Sequence, residues 1–169
     1  PDTVRGIKKS LRVVTAWDDT TLVGMARAVG DGHTILYVQD ILVLGAFRRR
    51  GILPEALLNY LALLGSSLEG GREIASAAEI SAGFSLERTG KGGAVFDEDK
   101  LLWLNGLHLR RLTPAVLAER LIPFLQEAGC DKDSFGPERL AGIAAAVQDS
   151  LSALADIGGY IDIFSDDRF

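Results

Sequence analysis

The chain has 169 residues, 24% of them charged and 47% hydrophobic, enough for one domain or two small ones and too apolar for a disordered chain. A net charge of −5 argues against a strongly basic nucleic-acid binder, although a local basic patch stays open. The apolar run from Ile41 to Phe47 falls far short of the ~20 residues that span a bilayer. No charged segment followed by an apolar one opens the chain, so no secretory signal is expected. The single cysteine, Cys130, can form no internal disulfide. Together these features predict a cytoplasmic protein with no membrane partner.

The first third reads as β-structure. Leu11 to Trp17 alternates, Asp18-Asp19-Thr20 is a turn, and Thr21 to Ala28 is the next strand. Gly30-Asp31-Gly32 is a second turn signal, because glycine accepts positive φ without steric cost. Thr34 to Leu44 is a long β-branched and aromatic run. Short turns between three such runs imply an antiparallel meander.

From Leu53 the period becomes helical. Leu53, Ala56, Leu57, Tyr60, Leu61 and Leu64 recur at helical spacing, and Leu58 and Leu63 make the other flank apolar too. Pro54 suits the first turn and Gly65 the stop. Ser76 to Leu86 is a weaker helix containing Gly83, and Thr89 to Gly93 is a polar loop. Asp97 is the expected N-cap of a helix through Leu107. Thr113-Pro114 starts another, with Val116, Leu117, Leu121, Phe124 and Leu125 inward and a bend at Pro123. Pro137 opens a helix with Leu140, Ile143, Ala144, Val147, Leu151 and Leu154 inward. A last one, interrupted at Gly158-Gly159, carries Ile157, Tyr160, Ile161 and Phe164. The fold class is α+β: a three-stranded antiparallel meander packed on a helix, followed by an all-α bundle.

Two resemblances follow. The stretch VVTAWDDTTLVGMARAVGDGHTILYVQDILVLGAFRRRGI resembles the central strands of a GNAT N-acetyltransferase over residues 8–52. In that family the strands lead into a (Gln/Arg)-x-x-Gly-x-(Gly/Ala) turn, whose amides hold the acetyl-CoA pyrophosphate at a helix N-terminus. Arg48 and Gly51 match. Leu53 departs from the pattern, and Pro54 removes a donor. The segments FRRRGILPEALLNYLALLG, GGAVFDEDKLLWLNGLHLRRL, LAERLIPFLQEAG and VQDSLSALADIGGYIDIFSDDRF resemble a bacterial glutamyl-tRNA synthetase over residues 48–169. There the resemblance implies helices that join the catalytic domain to the tRNA stem, then the first anticodon-binding helical domain. Ser66 stands where that family usually has Trp, and Thr89 to Gly93 is richer in glycine. The sequence contains neither a HIGH-type nor a KMSKS-type ATP motif.

The two patterns meet at FRRRGI, which suggests a splice. The domains are then 1–65 (meander plus first helix), 66–110 (stem-contact helices) and 111–169 (anticodon-binding-like bundle). The expected function is non-catalytic: at most a weak tRNA-binding module, with a residual acetyl-CoA-binding acetyltransferase, or a folded chain with no ligand, as alternatives. Clustered arginines make Arg48, Arg49, Arg50, Arg110, Arg111 and Arg120 the nucleic-acid candidates. On the acetyltransferase alternative, Arg48, Arg49, Arg50, Gly51 and Ile52 are the acetyl-CoA pyrophosphate candidates; otherwise no cofactor is expected. Asp40 shares an alternating face with Val38 and Leu42, opposite Tyr37 and Gln39, and is the alternative catalytic base.

His33 and His108 have no metal-ligand spacing, so no metal is expected, and each reads as a surface or capping residue. Cys130 has no neighbouring base. Trp103 and Trp17 read as packed. An exposed edge on so short a meander makes a homodimer the remaining expected partner.

Overall fold

The computed structural model describes residues 7–10, 12–30, 36–43, 45–65, 68–83, 96–130 and 135–165. The expectations for His33, Ser66 and Thr89 to Gly93 lie outside these residues, as does the side chain of Asp40. Strands β1 (Arg12–Asp18), β2 (Thr21–Gly30) and β3 (Leu36–Val43) form one antiparallel sheet in the order β1-β2-β3. Asp19, with φ +50°, makes the tight turn between the first two. Between β1 and β2 the register passes from Ala16↔Gly24 to Trp17↔Leu22, so β2 carries the extra residue, Val23. Between β2 and β3 it passes from Arg27↔Asp40 to Ala28↔Val38, so β3 carries Gln39 as a bulge. That bulge breaks the alternation which placed Asp40 beside Val38. The two now pair with adjacent residues of β2 and sit at register positions of opposite parity.

A short helix α1 (Gly45–Arg49) follows the sheet, where a plain turn was expected. Helix α2 (Pro54–Gly65) then packs against all three strands. Its apolar residues point in three directions, which is why its pattern is nearly continuous. Leu57, Tyr60 and Leu61 join Ile52, Leu101, Leu104 and Ala153, with Val14 of β1 against them. Leu58 and Ala62 join Ala75 and Ile80. Ala56 joins Leu53, Leu109 and the C-terminal helices. The last cluster therefore draws on all three expected segments of the chain.

Helix α3 is described over Ala77–Gly83, and the expected continuation to Leu86 lies outside the described residues. Ser76 caps it: its hydroxyl accepts from the Glu79 amide at 3.2 Å, and the Ser76 amide donates back to Glu79 at 2.8 Å. These bonds and Arg72 hold the Glu79 carboxyl down at about 2. Helix α4 (Glu98–Leu109) begins at the expected cap, with the Lys100 amide donating to Asp97 Oδ1 at 2.9 Å. Helix α5 (Pro114–Glu127) has Thr113 as N-cap and runs through Pro123. Helix α6 (Pro137–Val147) ends earlier than expected; Leu151 is buried from the extended residue after the 3₁₀ turn Gln148–Ser150, and Leu154 from the start of the 3₁₀ segment Leu154–Tyr160. Helix α7 (Ile161–Ser165) closes the described chain. No single helix among the described residues is long and apolar enough to cross a membrane.

Three apolar residues are misplaced by periodicity alone. Trp103 is 43% exposed, Trp17 46% and Val116 39%. Trp103 sits on the solvent side of α4, whose inward positions are Leu101, Leu104 and Leu109. Ala118 takes the inward place in α5 expected of Val116.

The junction between α1 and α2 is tight. Gly51 has φ +79°, and a Cβ there would lie 2.5 Å from Leu154 Cβ and 2.7 Å from its amide nitrogen. Both the left-handed backbone and the close approach require glycine. Gly51→Ala is expected to lower folding stability by about 3 kcal/mol or more. Urea unfolding checks this, and a loss within about 0.5 kcal/mol would show that the contact is not tight.

Candidate nucleic-acid interface

The arginine-bearing turn is the place where the sheet, α2 and the C-terminal helices meet. Backbone bonds close it on both sides. The Gly51 amide donates to the Arg48 carbonyl at 2.9 Å. The Leu154 amide donates to the Gly51 carbonyl and the Ala155 amide to the Arg50 carbonyl, each at 3.2 Å. Asn105 holds the centre from α4. Its Oδ1 accepts from the Leu53 amide at 2.8 Å. Its Nδ2 donates to the Ser152 carbonyl at 2.7 Å and to the Gly51 carbonyl at 3.4 Å. The Gly51 and Leu53 amides, two of those available to an anion at this turn, are thus engaged within the protein.

Around the turn lies an open cleft of about 340 Å³, lined by Arg48, Gly51, Leu53, Glu55, Arg120 and Phe124 among others. The cleft brings two of the six candidate arginines together. Arg48 and Arg49 end α1 and are exposed. Arg50 is also exposed but pairs with Glu98. Arg110 donates to the Asp149 carbonyl at 3.3 Å, and Arg111 beside it faces solvent. Arg120 grips Glu55 through both Nη atoms, at 2.8 and 3.4 Å. Burial works to raise the Glu55 carboxyl, but the Arg120 hydrogen bond, its own backbone and nearby positive charge outweigh it and hold the group below its ordinary value. Ile52 is buried and adds an apolar wall. Asp40 lies on β3 at the backbone register position opposite Arg27, and its side chain lies outside the described residues.

The residues that periodicity missed are polar and buried: Asn59, Asn105 and His108. His108 is 8% exposed, not a surface or capping residue. Its Nε2 lies 3.0 Å from Asn59 Oδ1 and donates to it. Asn59 Oδ1 also accepts from the Ala75 amide at 2.9 Å, while its Nδ2 donates to the Glu73 carbonyl at 3.0 Å. This fixes the chain between α2 and α3. Burial first, then the Arg111 charge, pushes the His108 pKa down, with Glu55 opposing. Tyr60 is pushed up by burial, and its hydroxyl accepts from the Asp97 amide at 2.7 Å. The available signal was an asparagine inside each apolar helical run, in LLNYLALLG and LLWLNG.

Residues 36–103 match the family described as tRNA synthetases class I (E and Q), catalytic domain. This stretch is a tRNA-synthetase-related region. A glutamate–tRNA ligase of Syntrophus aciditrophicus is 55% identical over 115 residues, covering 68% of this chain and 24% of its own. Another, from Alkaliphilus metalliredigens, is 39% identical over 129 residues, covering 75% of this chain and 26% of its own. The crystal structure of a glutamate–tRNA ligase from Elizabethkingia meningosepticum has the same fold with a TM-score of 0.60 at 24% identity, over 80% of this chain and 24% of that one. The chain spans about a quarter of the length of the curated relatives it matches. The family match begins at residue 36, so β3 falls within the synthetase-related stretch, ahead of the expected start at Arg48. It also names the catalytic domain where stem-contact helices were expected.

Two outcomes follow from the buried polar groups. Asn105→Ala leaves the Leu53 amide and the Ser152 carbonyl without their partner, and is expected to cost about 2–4 kcal/mol by urea unfolding. The pH response is set by His108. Its folded pKa lies below the ordinary 6.5, so the unfolded chain binds the proton first. Stability is full above 6.5 and falls as pH drops through that value. Glu55, lowered from 4.5, adds a loss of the same sign only below 4.5. The urea midpoint should therefore fall between about pH 7 and pH 5, and His108→Gln, which keeps a donor for Asn59, should flatten that fall. An equal slope in both proteins would contradict this assignment.

Proposed function

We propose that this chain is a non-catalytic tRNA-contacting module, with the rim of the Arg48–Arg120 cleft as its RNA-facing surface. The observation that carries the reading is the extended similarity to glutamate–tRNA ligases, 55% identity over 115 residues in one of them. The charge pattern agrees. Arg48 and Arg49 project from the end of α1, and Arg111 projects from the end of α4. Arginine at such positions neutralises phosphates and positions a backbone without reading sequence. Arg50 and Arg120 pair with carboxylates, the Arg120–Glu55 pair within the cleft wall. The absence of HIGH-type and KMSKS-type motifs from these 169 residues supports a binding role rather than adenylate formation.

The net charge of −5 limits the affinity, so binding should be weak and strongly salt-dependent. Fluorescence anisotropy with labelled tRNA at low and moderate salt is the test. Saturable binding at low salt is expected, and the double substitution Arg48→Ala and Arg49→Ala should lower the log–log salt slope by about 2. No binding at low salt would overturn the reading. Calorimetry with acetyl-CoA separates it from the cofactor alternative, which a saturating heat signal would favour.

A further inference from the structure

We propose that β1 pairs antiparallel with β1 of a second copy, about a two-fold axis passing through Thr15. Among the described residues β1 is an edge strand, with β2 on its inner side only. The sheet's two edges differ. On β3 the Gln39 bulge interrupts the ladder, a feature that blunts strand addition. On β1 no residue is inserted, because the irregularity near Trp17 is carried by Val23 on β2. Among the described residues the uninterrupted edge is thus the one open to pairing.

The β1 sequence is complementary to itself. Antiparallel pairing centred on Thr15 sets Arg12 of one copy opposite Asp18 of the other, at both ends of the ribbon. Within the chain the backbone register sets Arg12 opposite Ala28 and Asp18 opposite Thr21. The same register sets Val13 opposite Trp17, again twice. Val14 packs against the α2 cluster, so Val13, Thr15 and Trp17 share the outer face. Trp17 is 46% exposed on that face, with its indole Nε1 donating to Thr15 Oγ1 at 2.9 Å. A second copy would cover the ring with Val13, an aromatic–β-branched pair of the kind that stabilises cross-strand neighbours. Charge and apolar pattern therefore select one register, and the symmetry closes the assembly at two chains.

Sedimentation velocity of the full chain from about 2 to about 200 µM is the test, a range over which mass action resolves a weak dimer. The mass should rise from 18.1 kDa toward about 36 kDa. Asp18→Arg sets like charges opposite each other at both ends, as does Arg12→Asp, and each should weaken self-association about tenfold or more. Mixing the two variants restores opposite charges at both ends and should recover a dimer from two weakly associating proteins. That recovery also shows that both variants are folded. A mass of 18.1 kDa throughout the range, or a dimer indifferent to both substitutions, would overturn the proposal. So would a mixture no more associated than its components.

Discussion

The carboxamide of Asn105 is the point on which the rest of the molecule depends. One buried side chain on α4 accepts the Leu53 amide and donates to the Ser152 and Gly51 carbonyls. It thereby joins three stretches that are far apart in sequence: the exit from the sheet, the middle helix and the link between the two 3₁₀ segments after α6. Burying a carboxamide is unfavourable unless its hydrogen bonds are made, and here both ends of the group are used. Gly51 completes the arrangement by leaving room for Leu154 where any Cβ would collide. A meander of three strands is marginal alone, and this junction ties it to a helical core large enough to hold it.

The same junction governs what the site can do. The turn offers arginines to solvent, yet its Gly51 and Leu53 amides point into the protein. Electrostatic contact with a phosphate backbone needs only the former. Pyrophosphate capture by consecutive amides needs the latter as well, and the Leu53 amide is held by Asn105. At this turn the arginine charge is available to solvent, whereas the Leu53 amide is not. The Arg120–Glu55 pair braces the cleft wall, and Arg50 of the same turn pairs with Glu98, which limits the free positive charge.

Much of the architecture could be read from local patterns. The Asp18-Asp19-Thr20 turn, the Asp97 and Thr113 caps and Pro54 and Pro137 at helix starts each reflect chemistry confined to a few residues. Their positions were accordingly recoverable. Exposure and register were less so. Trp103 lies in a run of leucines, and only the placement of α4's neighbours decides that the indole faces solvent. The Gln39 bulge depends on the partner strand, so no alternation rule along β3 reveals it. His108 reads as polar and peripheral until Asn59 is brought to it across 49 positions of sequence. The functional resemblance behaved similarly. The helical segments pointed to the synthetases, whereas β-alternation, shared by many sheets, pointed elsewhere for a strand that the family match includes.

If one clamped junction unites the sheet and the helices, the amides it uses should be as protected as the core. Native-state hydrogen exchange measured residue by residue tests this most directly. The account predicts that the amides of Leu53, Leu154 and Ala155 exchange only through global unfolding, with the same free energy as the α2 and α5 core amides. Rapid exchange at those three positions, with the helices still protected, would contradict it.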